Sequence, residues 1–128
     1  MATINRTLFG VDSVVPLVAG IDYVYAYSPA VSSLTNSEVR ILCNSTLAVP
    51  TIELPPISAF NGNYSVTIVI QDQNGTAVAN NILVNPAALS GDKINSSAIG
   101  WKIDSAYGSI ILTIASEGHW VAVGGSAI

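Results

Sequence analysis

A chain of 128 residues has room for one domain with a real core, and half of its residues are hydrophobic. Only 9% are charged and the net charge is −4, whereas an ordinary soluble domain carries about 25% charged residues. The four cations, Arg6, Arg40, Lys93 and Lys102, are scattered; a nucleic-acid groove or an anionic membrane surface needs them clustered, so neither partner is expected.

Strand signals recur at short spacing between Gly, Pro and Asn, and helix signals are weak throughout. Residues 1–20 lack a clean amphipathic period and predict an extended N-terminal arm or an edge strand. Asp12 and Pro16 interrupt its apolar stretch, so a signal-peptide core or membrane span is not expected there. A single β-domain is expected over 21–128. Ile21 to Tyr27 alternates, with Tyr23, Tyr25 and Tyr27 on one face. Pro29 ends that strand, Ser32 to Ser37 reads as a polar loop, and Glu38 to Cys43 as the next strand. Thr51 to Leu54 runs into Pro55-Pro56, which stops a ladder. Phe60-Asn61-Gly62-Asn63 is a turn signal.

The clearest alternation follows. Val66, Ile68 and Ile70 share one face, and Asp72-Gln73-Asn74-Gly75 predicts a hairpin turn, because Asn-Gly accepts positive φ. Residues 76–84 are expected to return, with Ile82 and Val84 on a common face. A short strand is expected near Lys93-Ile94 and another over Trp101 to Asp104. Ile110, Leu112 and Ile114 face one side of a strand that turns at Glu117-Gly118 and returns through His119 to Val123. This succession predicts an all-β, antiparallel sandwich or barrel.

The chemistry-bearing residues are few. Cys43 is the single cysteine, so no intrachain disulfide can form, and its apolar run predicts a buried thiol. His119 is the single histidine and no Gly-x-Ser-x-Gly elbow accompanies it. One His and one Cys cannot build a structural zinc site, and the later carboxylates of a calcium loop are missing after Asp72. No enzyme activity and no cofactor are expected. Five Asn-x-Ser/Thr sites, at Asn5, Asn44, Asn63, Asn74 and Asn95, are ascribed to chance in an Asn- and Ser-rich chain. Tyr23, Tyr25, Tyr27, Trp101 and Trp120 are the candidate contact residues. They could stack on sugars, or they could fill a core or subunit seam.

Residues 62–123 resemble a β-domain of tailed-bacteriophage fibre, spike and head-surface proteins. In that family a strand of the type I-T-I-K-D leads through a polar Gly turn to A-x-x-N-x-I-x-I. Here Val66-Thr67-Ile68-Val69-Ile70-Gln71-Asp72 precedes Asn74-Gly75 and then Ala77 to Val84. The family continues with a glycine-containing loop, an Ile-rich short strand, Y-G-S and a closing G-x-x-W. Ser90-Gly91-Asp92, Ile103, Tyr107-Gly108-Ser109, Leu112 and Gly118-His119-Trp120 follow in that order. The chain departs from the pattern at Ile70-Gln71, where a lysine usually precedes the aspartate, and in a closing Gly and Trp set one residue closer; residues 1–60 lie outside it.

The resemblance implies a non-catalytic virion protein, made in the host cytoplasm and often a homotrimer. The short chain then suits a capsid-decorating, head-fibre or small adaptor subunit that binds other virion proteins. The alternative expectation is a carbohydrate-binding adhesin that recognises a host surface glycan.

Overall fold

The computed structural model describes residues 3–7, 14–18, 22–26, 38–46, 49–60, 62 and 64–128, with side chains described from Arg40 onward within that set, Asn44 excepted. Tyr27, the loop expected over Ser32 to Ser37, and Asn61 and Asn63 lie outside the described residues. Twelve strands are described. They are β1 (Thr3–Thr7), β2 (Val14–Val18), β3 (Asp22–Ala26), β4 (Glu38–Asn44), β5 (Thr51–Glu53), β6 (Thr67–Asp72), β7 (Ile82–Asn85), β8 (Lys93–Ile94), β9 (Trp101–Ile103), β10 (Ser109–Ser116), β11 (His119–Val123) and β12 (Ser126–Ala127). One 3-10 helix, Ile57–Phe60, follows the Pro55-Pro56 stop. The chain is all-β, as its strand periodicity predicts.

The strands form two six-stranded sheets, ordered β1-β3-β5-β7-β9-β12 and β2-β4-β6-β10-β11-β8. From β1 to β7 the chain crosses between layers at every step. Consecutive odd strands lie side by side and parallel in the first sheet, and consecutive even strands do the same from β2 to β6 in the second. From β9 onward antiparallel pairing takes over, apart from the parallel contact of β11 with β8. The expected antiparallel fold is therefore corrected to two mixed sheets. Both remain open, ending on β1 and β12 and on β2 and β8, so the barrel alternative is not realised. Of the two expectations for residues 1–20, an extended arm or an edge strand, the described parts take the second, since β1 and β2 are the terminal strands of their sheets. They pair along their length with β3 and β4. Pro16 sits in β2 at the sheet edge, where a strand tolerates a missing N–H.

The hairpin expected at Asn74-Gly75 does not form, because β6 and β7 belong to different sheets. Both sides of β6 are already paired, to β4 and to β10, so a returning strand finds no free ladder. Asp72 turns the chain away instead. Its carboxylate accepts hydrogen bonds from the backbone N–H groups of Asn74 (3.3 Å), Ala77 (3.1 Å) and Tyr107 (3.0 Å). A turn at Thr76 to Asn80 then carries the chain across to β7. The β10–β11 hairpin does form through Glu117-Gly118, with Gly118 at φ +76° and a register shift between Ile114 and Ser116.

The inward faces of both sheets share one core. Ile41 and Cys43, Ile68 and Ile70, and Ile110, Leu112 and Ile114 come from the second sheet, and Ile52, Ile82, Val84 and Ile103 from the first. Each large aliphatic side chain buried there contributes about 1.5–3 kcal/mol. Phe60 of the 3-10 helix meets Trp120 of β11 edge to face, with ring centroids 6.1 Å apart. Beyond the two-residue β8, the Asn95 side chain continues the edge. Its Nδ2 donates to the Ala122 carbonyl (2.8 Å) and its Oδ1 accepts from the Ala122 N–H (3.0 Å), as a strand residue would.

The crossing from β11 to β12 depends on Gly124, at φ +86°, where an added Cβ would lie 2.2 Å from the Ser109 carbonyl oxygen. Gly91 shares the positive φ (+77°) but has open space around it. Gly124→Ala is expected to cost at least about 2 kcal/mol in urea unfolding, and Gly91→Ala about 1 kcal/mol. Equal losses would mean that the close approach at Ser109 is relieved cheaply.

Candidate interaction surface

Among the described side chains, the outward positions of the second sheet carry charge at Arg40 of β4 and at Lys93 of the edge strand β8, and neutral residues between them. In one row, Arg40 of β4 pairs with Val69 of β6, Val69 with Ile111 of β10, and Ile111 with Val123 of β11. In the next, Thr67 pairs with Thr113, and Thr113 with Val121. Leu42, Gln71 and Ser109 form a third. Ile111 is 41% exposed, Val121 37% and Val123 64%, and Leu42 and Val69 are half-buried. The Arg40 guanidinium donates a 2.6 Å hydrogen bond to the Gln71 side-chain oxygen. Solvated sheet faces ordinarily carry polar side chains at such positions, and apolar patches on a monomer surface mark contact sites.

Of the five aromatic candidates, only Trp101 and Trp120 have described side chains, and their surroundings differ. Trp120 is 1% exposed and belongs to the core, so its ring can reach neither a sugar nor a partner. Its Nε1–H has no hydrogen-bond partner among the described residues. Trp101 is half-buried against the core, and its indole N–H is spent on the Gly124 carbonyl (2.8 Å). Tyr23 and Tyr25 lie in β3, where Tyr25 pairs with Ile52; their side chains, and all of Tyr27, are outside the described set. Tyr64 and Tyr107 are exposed, Tyr107 in the turn before β10 at φ +58°.

The remaining reactive groups are tied into structure. Cys43 is buried, and its thiol is pushed far above its usual range, first by burial and then by the negative charge of Asp72. Such a thiol stays protonated and is a poor nucleophile. His119 is exposed, and its Nδ1 lies 3.0 Å from the Glu117 carbonyl and 3.3 Å from the Ser116 hydroxyl. Among the described residues no group of three or more His, Cys, Asp or Glu could hold a metal ion, and no helix is long and apolar enough to cross a membrane.

A cleft of about 730 Å³ opens at the opposite margin of the β10–β11 hairpin. It is lined by Glu53, Pro56 and Ser58, by Ala87 to Ser90, and by Asp92 with the Glu117-Gly118 turn. Asp92 is buried and accepts the Ile57 N–H at 2.9 Å.

The outward apolar residues Val69, Ile111, Val121 and Val123 were not singled out by the alternation, which ranks only the inward set. Their signal was present nonetheless: β10 and β11 carry apolar residues on both faces, the pattern of a strand covered on two sides. No family model matches the chain, and no curated protein matches it either.

Proposed function

We propose that the chain is a non-enzymatic structural subunit of a bacteriophage virion, of the capsid-decorating, head-fibre or small adaptor kind, and that it works as an oligomer, in trimeric form by the family resemblance. The observation that carries this reading is the outward face of the second sheet. Three exposed β-branched residues, flanked by threonines and with the described charges of Arg40 and Lys93 set to either side, leave little charge to desolvate when a second protein covers them. The 9% content of charged residues supports it, because repulsion and salt screening then matter little at a packed seam. The order of motifs from Val66 to Trp120 supplies the phage assignment by resemblance.

The test is mass in solution at micromolar concentration, by light scattering, together with co-sedimentation on viral shells. Ile111→Lys places a cation in the centre of the face without touching the core. It is expected to weaken self-association or shell binding at least tenfold, with the unfolding midpoint nearly unchanged. A wild-type monomer with no affinity for shells, or an Ile111→Lys protein that associates as before, would remove the reading.

A further inference from the structure

The cleft beside the β10–β11 turn has a chemical character unlike the rest of this ion-poor molecule. Glu53, Asp92 and Glu117 line it, three of the chain's eight acidic residues. An adjoining depression of about 450 Å³ shares Glu53, Asp92 and Ala87 to Leu89 and continues past Pro86 and Lys93 to Ala98 and Ile99. The walls are apolar, from Pro56, Ala87 and Ala88 to Leu89, so carboxylates and nonpolar surface alternate within one concavity.

The loop that forms the wall is built rather than loose. Ser90 N–H and its hydroxyl both reach the Ala87 carbonyl (3.3 and 2.6 Å), and the Asp92 N–H reaches the Ser90 hydroxyl (3.1 Å). At its tip Leu89 stands fully exposed at φ +61°, a conformation that costs a non-glycine residue about 1–2 kcal/mol. Ile99, 69% exposed, borders the same depression.

We infer that this cleft receives an extended segment of a partner protein bearing lysine or arginine next to an apolar residue. The match is one of chemistry. A lysine or arginine side chain lays its methylene stem along apolar surface and carries its charge beyond it. Here that stem would lie on Pro56, Ala87 and Ala88, and the charged head would meet Glu53 and Glu117. The neighbouring apolar residue of the segment would pack on Leu89. The concavity lies within the size range of sites that enclose a small ligand or a few residues. A second copy of this chain is a poor occupant as far as its described cations go: Arg40 is bonded to Gln71, Lys93 borders the same acidic depression, and Lys102 is half-buried in β9 between β7 and β12. The inference is independent of the reading of the sheet face.

The test uses the whole chain, isotopically labelled, with amide chemical shifts followed during titration. The probes are blocked Leu-Lys-Val-Lys, its counterpart Leu-Glu-Val-Glu, and spermidine. The cationic peptide is expected to shift amides at 53–58, 87–92 and 117–118, with affinity falling several-fold on raising salt from 20 to about 300 mM. The double variant Glu53→Gln, Glu117→Gln, which leaves Asp92 and its bond to Ile57 in place, should lower that affinity at least tenfold with other amides unmoved. Leu89→Ser should lower it about threefold for the peptide and leave spermidine unaffected. The inference is overturned by no shifts at millimolar cationic peptide, by equal binding of the acidic peptide, by spermidine binding as tightly as the peptide, or by shifts confined to the outward sheet face.

Discussion

Asp72→Ala is expected to lower the stability of the folded chain by about 3–6 kcal/mol, a large part of the 5–15 kcal/mol typical of a domain. The Asp72 side chain is fully buried and receives three backbone N–H groups from two separate turns, at Asn74 and Ala77 and at Tyr107. Alanine removes the acceptor but not the donors. The buried Ala77 N–H costs about 1–3 kcal/mol when left without a partner, and the part-buried N–H groups of Asn74 and Tyr107 cost less each, in addition to the lost charge-assisted bonds. Asp72→Asn keeps one carbonyl oxygen and should lose about half as much. Urea unfolding of the three proteins gives the ranking wild type, Asn, Ala. An alanine variant within about 1 kcal/mol of wild type would show that water or a rearranged turn replaces the carboxylate. The effect is also topological: this carboxylate steers the chain from β6 across to β7, so its loss weakens the connection between the two sheets.

Trp120→Ala should cost about 3–5 kcal/mol, the range for removing a large aromatic from a packed interior. Trp120 is among the largest fully buried side chains and forms the edge-to-face pair with Phe60. Trp120→Phe separates volume from polarity. It leaves a smaller cavity and also deletes an indole N–H that is buried without a partner among the described residues. A donor in that state is itself unfavourable, so the phenylalanine variant should lose less than about 2 kcal/mol. Denaturant midpoints at constant m-value would measure both. If phenylalanine proved as costly as alanine, the indole N–H would have to be satisfied, for example by an ordered water.

Much of the fold was legible because strand burial has a period of two. Ile68 and Ile70, Ile82 and Val84, and Ile110, Leu112 and Ile114 all face inward where the alternation puts them. The short strand at Lys93-Ile94 and the Glu117-Gly118 turn also stand where expected. The candidate site was far less legible. The sequence leaves Trp120 and Trp101 open between a sugar-stacking surface and a core or seam; the structure seals one in the core and spends the N–H of the other internally. An aromatic residue in a strand carries no local mark of which face it will occupy once the partner layer is added. The cleft was not legible at all, because Glu53, Asp92 and Glu117 come from three distant segments.

The sequence alone determined that this chain is all-β, that its core is made of alternating Ile, Val and Leu, and that it has few ionic groups to solvate; these are properties of single residues and of short-range period. Only the tertiary structure decided how the strands pair. An alternating strand buries the same side chains whether it returns beside its predecessor or crosses to the opposite layer, so the β6–β7 segment reads identically as a hairpin and as a crossover. What separates the two is whether β6 has a free side. β4 and β10 occupy both, and β10 begins 37 residues after the end of β6, a distance over which no local pattern carries information.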